Sequence, residues 1–188
     1  GDPDPEALSA AMDDRMNQVV LAGGLLWSGV NTIVGGDRVG IAWFAVKPSF
    51  KESALRAKMQ GQGYVTAVAN SVLYPSIAVN GDGDAIIGFS LTGQDYYPSA
   101  AYARVDAEDG AGPVHIVAAG AAPEDGFTGY PSLGGDVAAR WGDYSAAVAD
   151  EHGNLWFATE YIPGGPRTLL ADWGTFIGRI ATGRDDDR

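Results

Sequence analysis

The sequence holds no cysteine, which excludes a disulfide framework, thiolate chemistry and a Cys-ligated zinc site. That absence assigns no compartment. Charge is scarce too: 19% of the 188 residues are Asp, Glu, Lys or Arg, and three of the twelve basic residues are lysine. The net charge of −12 argues against nucleic acid, because a phosphate-binding surface needs clustered Lys and Arg. Anionic membrane surfaces are disfavoured on the same ground. No apolar run approaches the ~20 residues that cross a bilayer as a helix. A Gly-x-Ser-x-Gly elbow, a Gly-Lys-Ser/Thr phosphate loop and a dinucleotide fingerprint are all missing. Glycine is plentiful, at 27 residues. Much glycine with little charge suits many short strands joined by tight turns.

The chain repeats itself. Tyr74-Pro-Ser-Ile-Ala-Val-Asn-Gly-Asp-Gly-Asp-Ala-Ile-Ile-Gly-Phe89 aligns with Asp143-Tyr-Ser-Ala-Ala-Val-Ala-Asp-Glu-His-Gly-Asn-Leu-Trp-Phe-Ala158, with one extra residue placed in the second turn. Gln18-Val-Val-Leu-Ala-Gly-Gly-Leu-Leu-Trp-Ser28 is a degenerate upstream copy. In each, an apolar strand reaches a Gly-rich turn and returns as a second strand. Ile86 and Trp156 hold equivalent places, and Trp27 the approximate one. Repetition at this scale marks a radial array or solenoid, and all-strand content selects a β-propeller. The fold class is therefore all-β, a propeller with about three blades on this chain. It reads as a fragment or half of a six- to eight-bladed ring.

Residues 1–15 form a lead-in, where Asp4-Pro5-Glu6 reads as the start of a short helix. Residues 16–181 form the partial propeller, in units of about 16–70, 71–120 and 140–181. The first unit has strands at 18–22, 25–34, 39–46 and 63–69; Lys47-Pro48 ends the third, and Ser53–Gln60 is one helical turn or an extended approach. The second unit has strands at 76–80, 85–91, 100–106 and 114–119, with Glu108–Pro113 as a loop. The third has strands at 145–149, 155–161 and 173–180 and lacks a fourth. The long loop from Gly120 to about Arg140 is of a length that usually carries function. Residues 182–188 read as a disordered acidic tail. The remaining blades are expected from an N-terminal portion, a second copy or a partner chain, since open blade edges otherwise invite aggregation.

Arg140-Trp-Gly-Asp-Tyr-Ser145, Trp173-Gly-Thr175 and Gln94-Asp-Tyr-Tyr-Pro-Ser-Ala-Ala-Tyr102 carry a resemblance across residues 14–181. The chain resembles the C-terminal part of a family of bacterial secreted, sialidase-like proteins with Asp-box repeats, mostly uncharacterised. The resemblance implies an exported propeller: secreted, periplasmic or at the cell surface. Asp150-Glu-His-Gly153-Asn-Leu-Trp156 keeps the Asp, Gly and Trp of the Asp-box but has Val148 at its upstream Ser position. In sialidases that box is a structural turn away from the catalytic face.

Propeller geometry ranks the candidate site residues. Arg140, Trp141, Asp143 and Tyr144 immediately precede an innermost strand, and Tyr74 does so one unit earlier. Glu160 and Tyr161 end the next strand at the same face. Carboxylates, an arginine for an anionic group and aromatic platforms suit a sugar site. A structural alternative has Trp141 and Tyr144 packing between blades while Arg140 pairs with Asp143 or Glu160. Adjacent Glu160 and Tyr161 point to opposite sides of a regular strand, which counts against them as a nucleophile pair.

Asn80, Asp82 and Asp84 have the one-three-five spacing of a calcium loop but lack its Gly at six and Glu at twelve. A hairpin turn with solvated Asp side chains is the expected reading, so no cofactor is invoked. His115 and His152 stand on different units and make no metal pair. The function expected is a non-catalytic carbohydrate-binding or protein-interaction module. The alternatives are a sialidase-like glycoside hydrolase with part of its site on this chain, and a structural subunit of a surface assembly.

Overall fold

The computed structural model describes residues 16, 18–36, 38–124, 144–164 and 173–182. The described residues are all-β and contain no helix. Eleven strands run in chain order: β1 (Val19–Ala22), β2 (Leu25–Gly35), β3 (Arg38–Lys51), β4 (Ala54–Val65), β5 (Asn70–Val79), β6 (Ala85–Gly93), β7 (Ser99–Asp106), β8 (Gly110–Ala118), β9 (Ala146–Ala149), β10 (Leu155–Tyr161) and β11 (Gly174–Ile180). They form three antiparallel meanders, β1-β2-β3-β4, β5-β6-β7-β8 and β9-β10-β11. No sheet closes on itself. The expected lead-in helix lies outside the described residues, as does the tail beyond Thr182.

Turn chemistry fixes most boundaries. Gly23 and Gly24 both have positive φ, the requirement of a two-residue turn whose twist matches the flanking strands. Two expectations fail at proline, and the first strand of the second unit, expected from Ser76, starts already at Asn70. The third strand does not stop at Lys47-Pro48: β3 continues to Lys51, with Pro48 opposite Ala57. By then β3 has run past the last residue it shares with β2, Val46 opposite Leu26, so Pro48 sits on an edge, where a missing N–H is tolerated. The hairpin closes through Glu52 and Ser53, both at positive φ. Ala54–Gln60 is thus strand, not a helical turn, and the fourth strand, expected at 63–69, is the longer β4 that ends at Val65. Likewise, the loop expected at Glu108–Pro113 is mostly β8, the edge strand of the second sheet.

The sheets stack face to face. Trp27, Ile41, Trp43, Ala45 and Val65 of the first sheet meet Ile77, Val79, Ile87, Phe89 and Val105 of the second. The opposite face of the second sheet, with Ala78 and Ile86, meets Ala147, Leu155 and Phe157 of the third. Buried on both faces, β5 and β6 read as nearly continuous apolar runs rather than alternating ones. The second joint is tight where Gly88 lies under Phe157: a Cβ there would fall 2.8 Å from the ring.

The first strands of the three sheets converge. Both β1 and β9 contact β5. Gln18, just before β1, accepts from Ser76 Oγ of β5 at 2.6 Å and donates to the Ala147 carbonyl of β9 at 3.1 Å.

The hairpin repeat is closer than the sequence alignment implies. Asn80 N–H donates to the Asp84 carbonyl and Gly83 N–H to the Asn80 carbonyl; Asp150 with Asn154, and Gly153 with Asp150, repeat this pattern. The two turns match residue for residue, so no extra residue stands in the second.

Candidate functional site

The residues that enter first strands and leave second strands lie at one end of the stack, which we call the upper rim. Here the second and third sheets are tied by backbone bonds: Ile162 N–H donates to the Pro98 carbonyl and Ala121 N–H to the Ile162 carbonyl, both at 2.9 Å. The connection between β6 and β7, Gln94–Pro98, is held from beneath. Asp95 accepts from Asn70 Nδ2 at 3.0 Å, and its own N–H donates to Asn70 Oδ1 at 3.1 Å. Ser99 Oγ donates to the Tyr97 carbonyl at 2.6 Å and accepts from Gly120 N–H at 2.8 Å. This fixed loop presents exposed Tyr96 and Tyr97.

The candidate residues separate on this frame. Tyr144 projects from the rim and is 77% exposed, while Ser145 below it donates to Thr159 Oγ1 at 3.1 Å. Tyr74, its counterpart one unit earlier, is buried with Leu73 and Ile162. It occupies positive φ at a register shift between Leu73 and Ser76, a conformation that is uncommon and costly for a bulky residue. Tyr74 is therefore a floor for the rim rather than a platform on it. Glu160 and Tyr161 point to opposite faces of β10: Glu160 shares the outer face with Trp156, and Tyr161 shares the inner face with buried Phe157 and Thr159. Arg140, Trp141 and Asp143 lie outside the described residues. Trp173, exposed immediately before β11, stands at this rim; Tyr161 is opposite Gly174 in the ladder.

Tyr96, Tyr97 and Trp173 are absent from the candidates drawn from sequence. The signal for the tyrosines is present as Asp95-Tyr96-Tyr97-Pro98 between two apolar strands. Paired aromatics in a turn segment have no core to fill.

The opposite, lower rim carries the hairpin turns. Asn80 Oδ1 accepts from the N–H of Asp82 at 3.0 Å and of Asp84 at 2.9 Å, and Asn80 Nδ2 faces Asp84 Oδ2 at 3.0 Å. The oxygen that a calcium loop would need is committed to the backbone. Among the described residues no group of three or more His, Asp or Glu is placed to hold a metal ion. A cleft of about 280 Å³ beside Asp84, Arg104, Asp106 and Asp109 is bounded by turns that cap themselves: Asp106 accepts from the N–H groups of Glu108 and Asp109.

No family model, curated protein or solved structure matches the chain.

The turn between β9 and β10 has a definite electrostatic role. Asp150 accepts from Trp156 Nε1 at 2.9 Å, from Asn154 Nδ2 at 2.9 Å and from the N–H groups of His152 and Asn154 at 2.9 Å each. The indole donor first, then the Asn154 amide, hold the carboxyl far below the ordinary carboxylate range. A carboxyl with a depressed folded pKa stabilises the fold above its unfolded value, and that contribution disappears as pH falls through the folded one. Wild-type stability to urea is therefore expected to drop below about pH 4, and Asp150→Asn to drop less over the same window. Parallel urea melts from pH 6 to pH 2 check this; superimposable pH profiles would refute it.

Proposed function

We propose that the chain is an exported, non-catalytic binding module built from propeller blades, and that it takes a carbohydrate across the upper rim. One observation carries the reading: exposed Tyr97, Tyr144 and Trp173 lie on the same rim, the one that the Pro98–Ile162–Ala121 bonds hold together, and Glu160 ends β10 at that rim. Flat aromatic side chains exposed on a rigid frame are what sugar rings stack on, and a few polar groups set orientation.

Three features support the propeller reading: sequential antiparallel meanders, face-to-face stacking, and the Gln18 contacts that bring all three first strands together. The resemblance to sialidase-like Asp-box proteins agrees with it and supports export. Glu160 and Tyr161, on opposite faces of β10, argue for binding over sialidase-like hydrolysis. The outward faces of the first and third sheets remain for further blades supplied by a partner.

Calorimetric titration with sialylated and neutral oligosaccharides tests the binding. Tyr144→Ala and Trp173→Ala are each expected to weaken the best ligand roughly tenfold, the scale of one lost aromatic contact, with an unchanged melt. Hydrolysis of a fluorogenic sialoside that Glu160→Gln abolishes would replace this reading with the enzymatic one.

A further inference from the structure

The first sheet outreaches the other two. β3 and β4 are 14 and 12 residues long, whereas the longest strand of the second and third sheets has 10. Past Val46 and Met59 they continue beyond the lower rim as a two-stranded arm, with Lys47 opposite Lys58, Pro48 opposite Ala57, Ser49 opposite Arg56, Phe50 opposite Leu55 and Lys51 opposite Ala54. Directly opposed residues share a face. One face of the arm is accordingly Val46, Pro48, Phe50, Leu55, Ala57 and Met59, wholly apolar. The other carries Lys47, Lys51, Arg56 and Lys58. All three lysines of the chain lie here. With four cations and Glu52, residues 46–60 carry +3, which leaves −15 on the rest of a chain whose total is −12.

Phe50 is 80% and Leu55 66% exposed. Among the described residues, none of the four cations makes an ion pair or a side-chain hydrogen bond. Beyond Val46, β3 has left β2, and β4 is the edge of its sheet, so both margins of the arm present unpaired backbone groups. A two-stranded hairpin with no surface beneath it is marginal in water. A further blade as tall as the second or third sheet would end at the rim and leave the arm bare. A soluble polyanion would satisfy the basic face and leave Phe50 and Leu55 in water.

We infer that the arm docks the chain on an anionic lipid surface. A bilayer interface offers hydrocarbon and negative headgroups within reach of one side chain, which is what the two faces require together. Set obliquely on its apolar face, the arm sinks Phe50 and Leu55 about 5–10 Å to the acyl boundary, the depth at which amphipathic elements settle. The lysine stems on the other face reach back to the phosphates. The unpaired margins limit the depth, because they are excluded from the hydrocarbon core and are satisfied at headgroup level by water. Four Lys and Arg clustered on one amphipathic element read as an anionic-lipid site. The acidity of the whole chain does not forbid this, because its charges are segregated. Five residues of β3 past Val46 span ~17 Å at ~3.4 Å each, about two Debye lengths at physiological salt, so repulsion from the acidic body is largely screened at the tip. Docking at the lower rim leaves the upper rim facing away from the surface, and the inference stands whether or not that rim binds carbohydrate.

Co-sedimentation of the full chain with vesicles of phosphatidylglycerol and phosphatidylcholine in equal parts tests it, with phosphatidylcholine alone as the control. Binding is expected on the mixed vesicles, weakening as salt rises, and not on the control. Phe50→Asp/Leu55→Asp is expected to weaken it roughly 30-fold or more, the scale of apolar side chains withheld from the acyl boundary. Lys51→Gln/Arg56→Gln is expected to weaken it by a similar factor, at roughly fivefold for each cation lost near an anionic leaflet. All four positions are exposed, so circular dichroism should not change. Because the chain has no cysteine, Phe50→Cys accepts a single polarity-sensitive fluorophore, whose emission should move to the blue on the mixed vesicles. No binding to them, equal binding to the control, or binding without that blue shift would overturn the inference. Vesicle binding that Phe50→Asp/Leu55→Asp leaves intact would overturn it in favour of a polyanion held by the basic face alone.

Discussion

Phe157→Ala is expected to detach the third sheet from the second. Phe157 is buried at the centre of their joint, with its ring 5.5 Å from Tyr102 and 6.1 Å from Phe176 between centroids. It rests on Gly88 and Gly178, where added Cβ atoms would lie 2.8 and 2.9 Å from it. Gly88 and Gly178, directly against the ring, have no side chains that could move into the space. The loss therefore belongs at the upper part of the ~3–5 kcal/mol found for buried Phe→Ala changes, with aromatic pairing of about 0.5–1.5 kcal/mol included.

The apolar part of this joint is small. Its other buried members are Ala78, Ile86, Ala147 and Leu155, whereas the first joint contains Trp27, Trp43, Phe89 and twelve further apolar side chains. A loss of this size exceeds what the smaller joint can absorb, so unfolding is expected to split in two. Amides of β9–β11 should exchange early by hydrogen exchange and those of β5–β7 should stay protected. Gly88→Val, which wedges the same contact open, is expected to act in the same direction. One cooperative transition shifted by under 1 kcal/mol would show that the joint does not depend on Phe157.

The sequence made the strand inventory legible because glycine turns announce themselves: Gly23-Gly24, Gly81-Asp82-Gly83 and Gly153 all sit where a hairpin reverses. Glu52-Ser53 reverses the chain with neither glycine nor asparagine, so nothing local marks it. Pro48 and Pro113 end a strand only if a neighbour needs their N–H, and edge position is a property of the sheet. Tyr74 and Tyr144 hold matching places in the repeat, yet Ile162 from the third sheet covers one and leaves the other in solvent. That cover comes from 88 positions along the chain. Local pattern thus gave the elements and the rim, while burial within the rim was decided by contacts between sheets. The run of β3 beyond Val46 was hidden by the same proline that local pattern reads as its stop.

Asn80 carries the second large effect, and its repeat partner shows why. Asp150 and Asn80 accept the same two backbone N–H groups of their turns, but their other side-chain atoms diverge. Asp150 accepts from Trp156 within its own hairpin. Asn80 Nδ2 instead reaches into the next sheet, 3.0 Å from the Gly153 carbonyl and 3.1 Å from Thr182 Oγ1. Asn80→Ala removes these bonds together with both acceptor bonds of the turn and is expected to cost about 2–4 kcal/mol, at ~0.5–1.5 kcal/mol net for each, even though Thr182 Oγ1 still donates to the Gly153 carbonyl. Asn80→Asp separates the two roles: it keeps both acceptor bonds, loses the donor, and sets a carboxylate against the Gly153 carbonyl and the Asp84 carboxylate. At pH 7 it should be at least as damaging as alanine, since an uncompensated buried charge is worse than a missing bond.

The introduced carboxyl would have a folded pKa raised above its unfolded value by burial and by Asp84. Its penalty is then complete above the folded pKa and relieved as pH falls to the unfolded value near 4, where the protonated group can donate to Gly153. Urea melts of Asn80→Asp relative to wild type should therefore converge between pH 7 and pH 4, the reverse of the Asp150 trend. A deficit constant over that range would mean that Asn80 secures its own turn and not the joint between sheets.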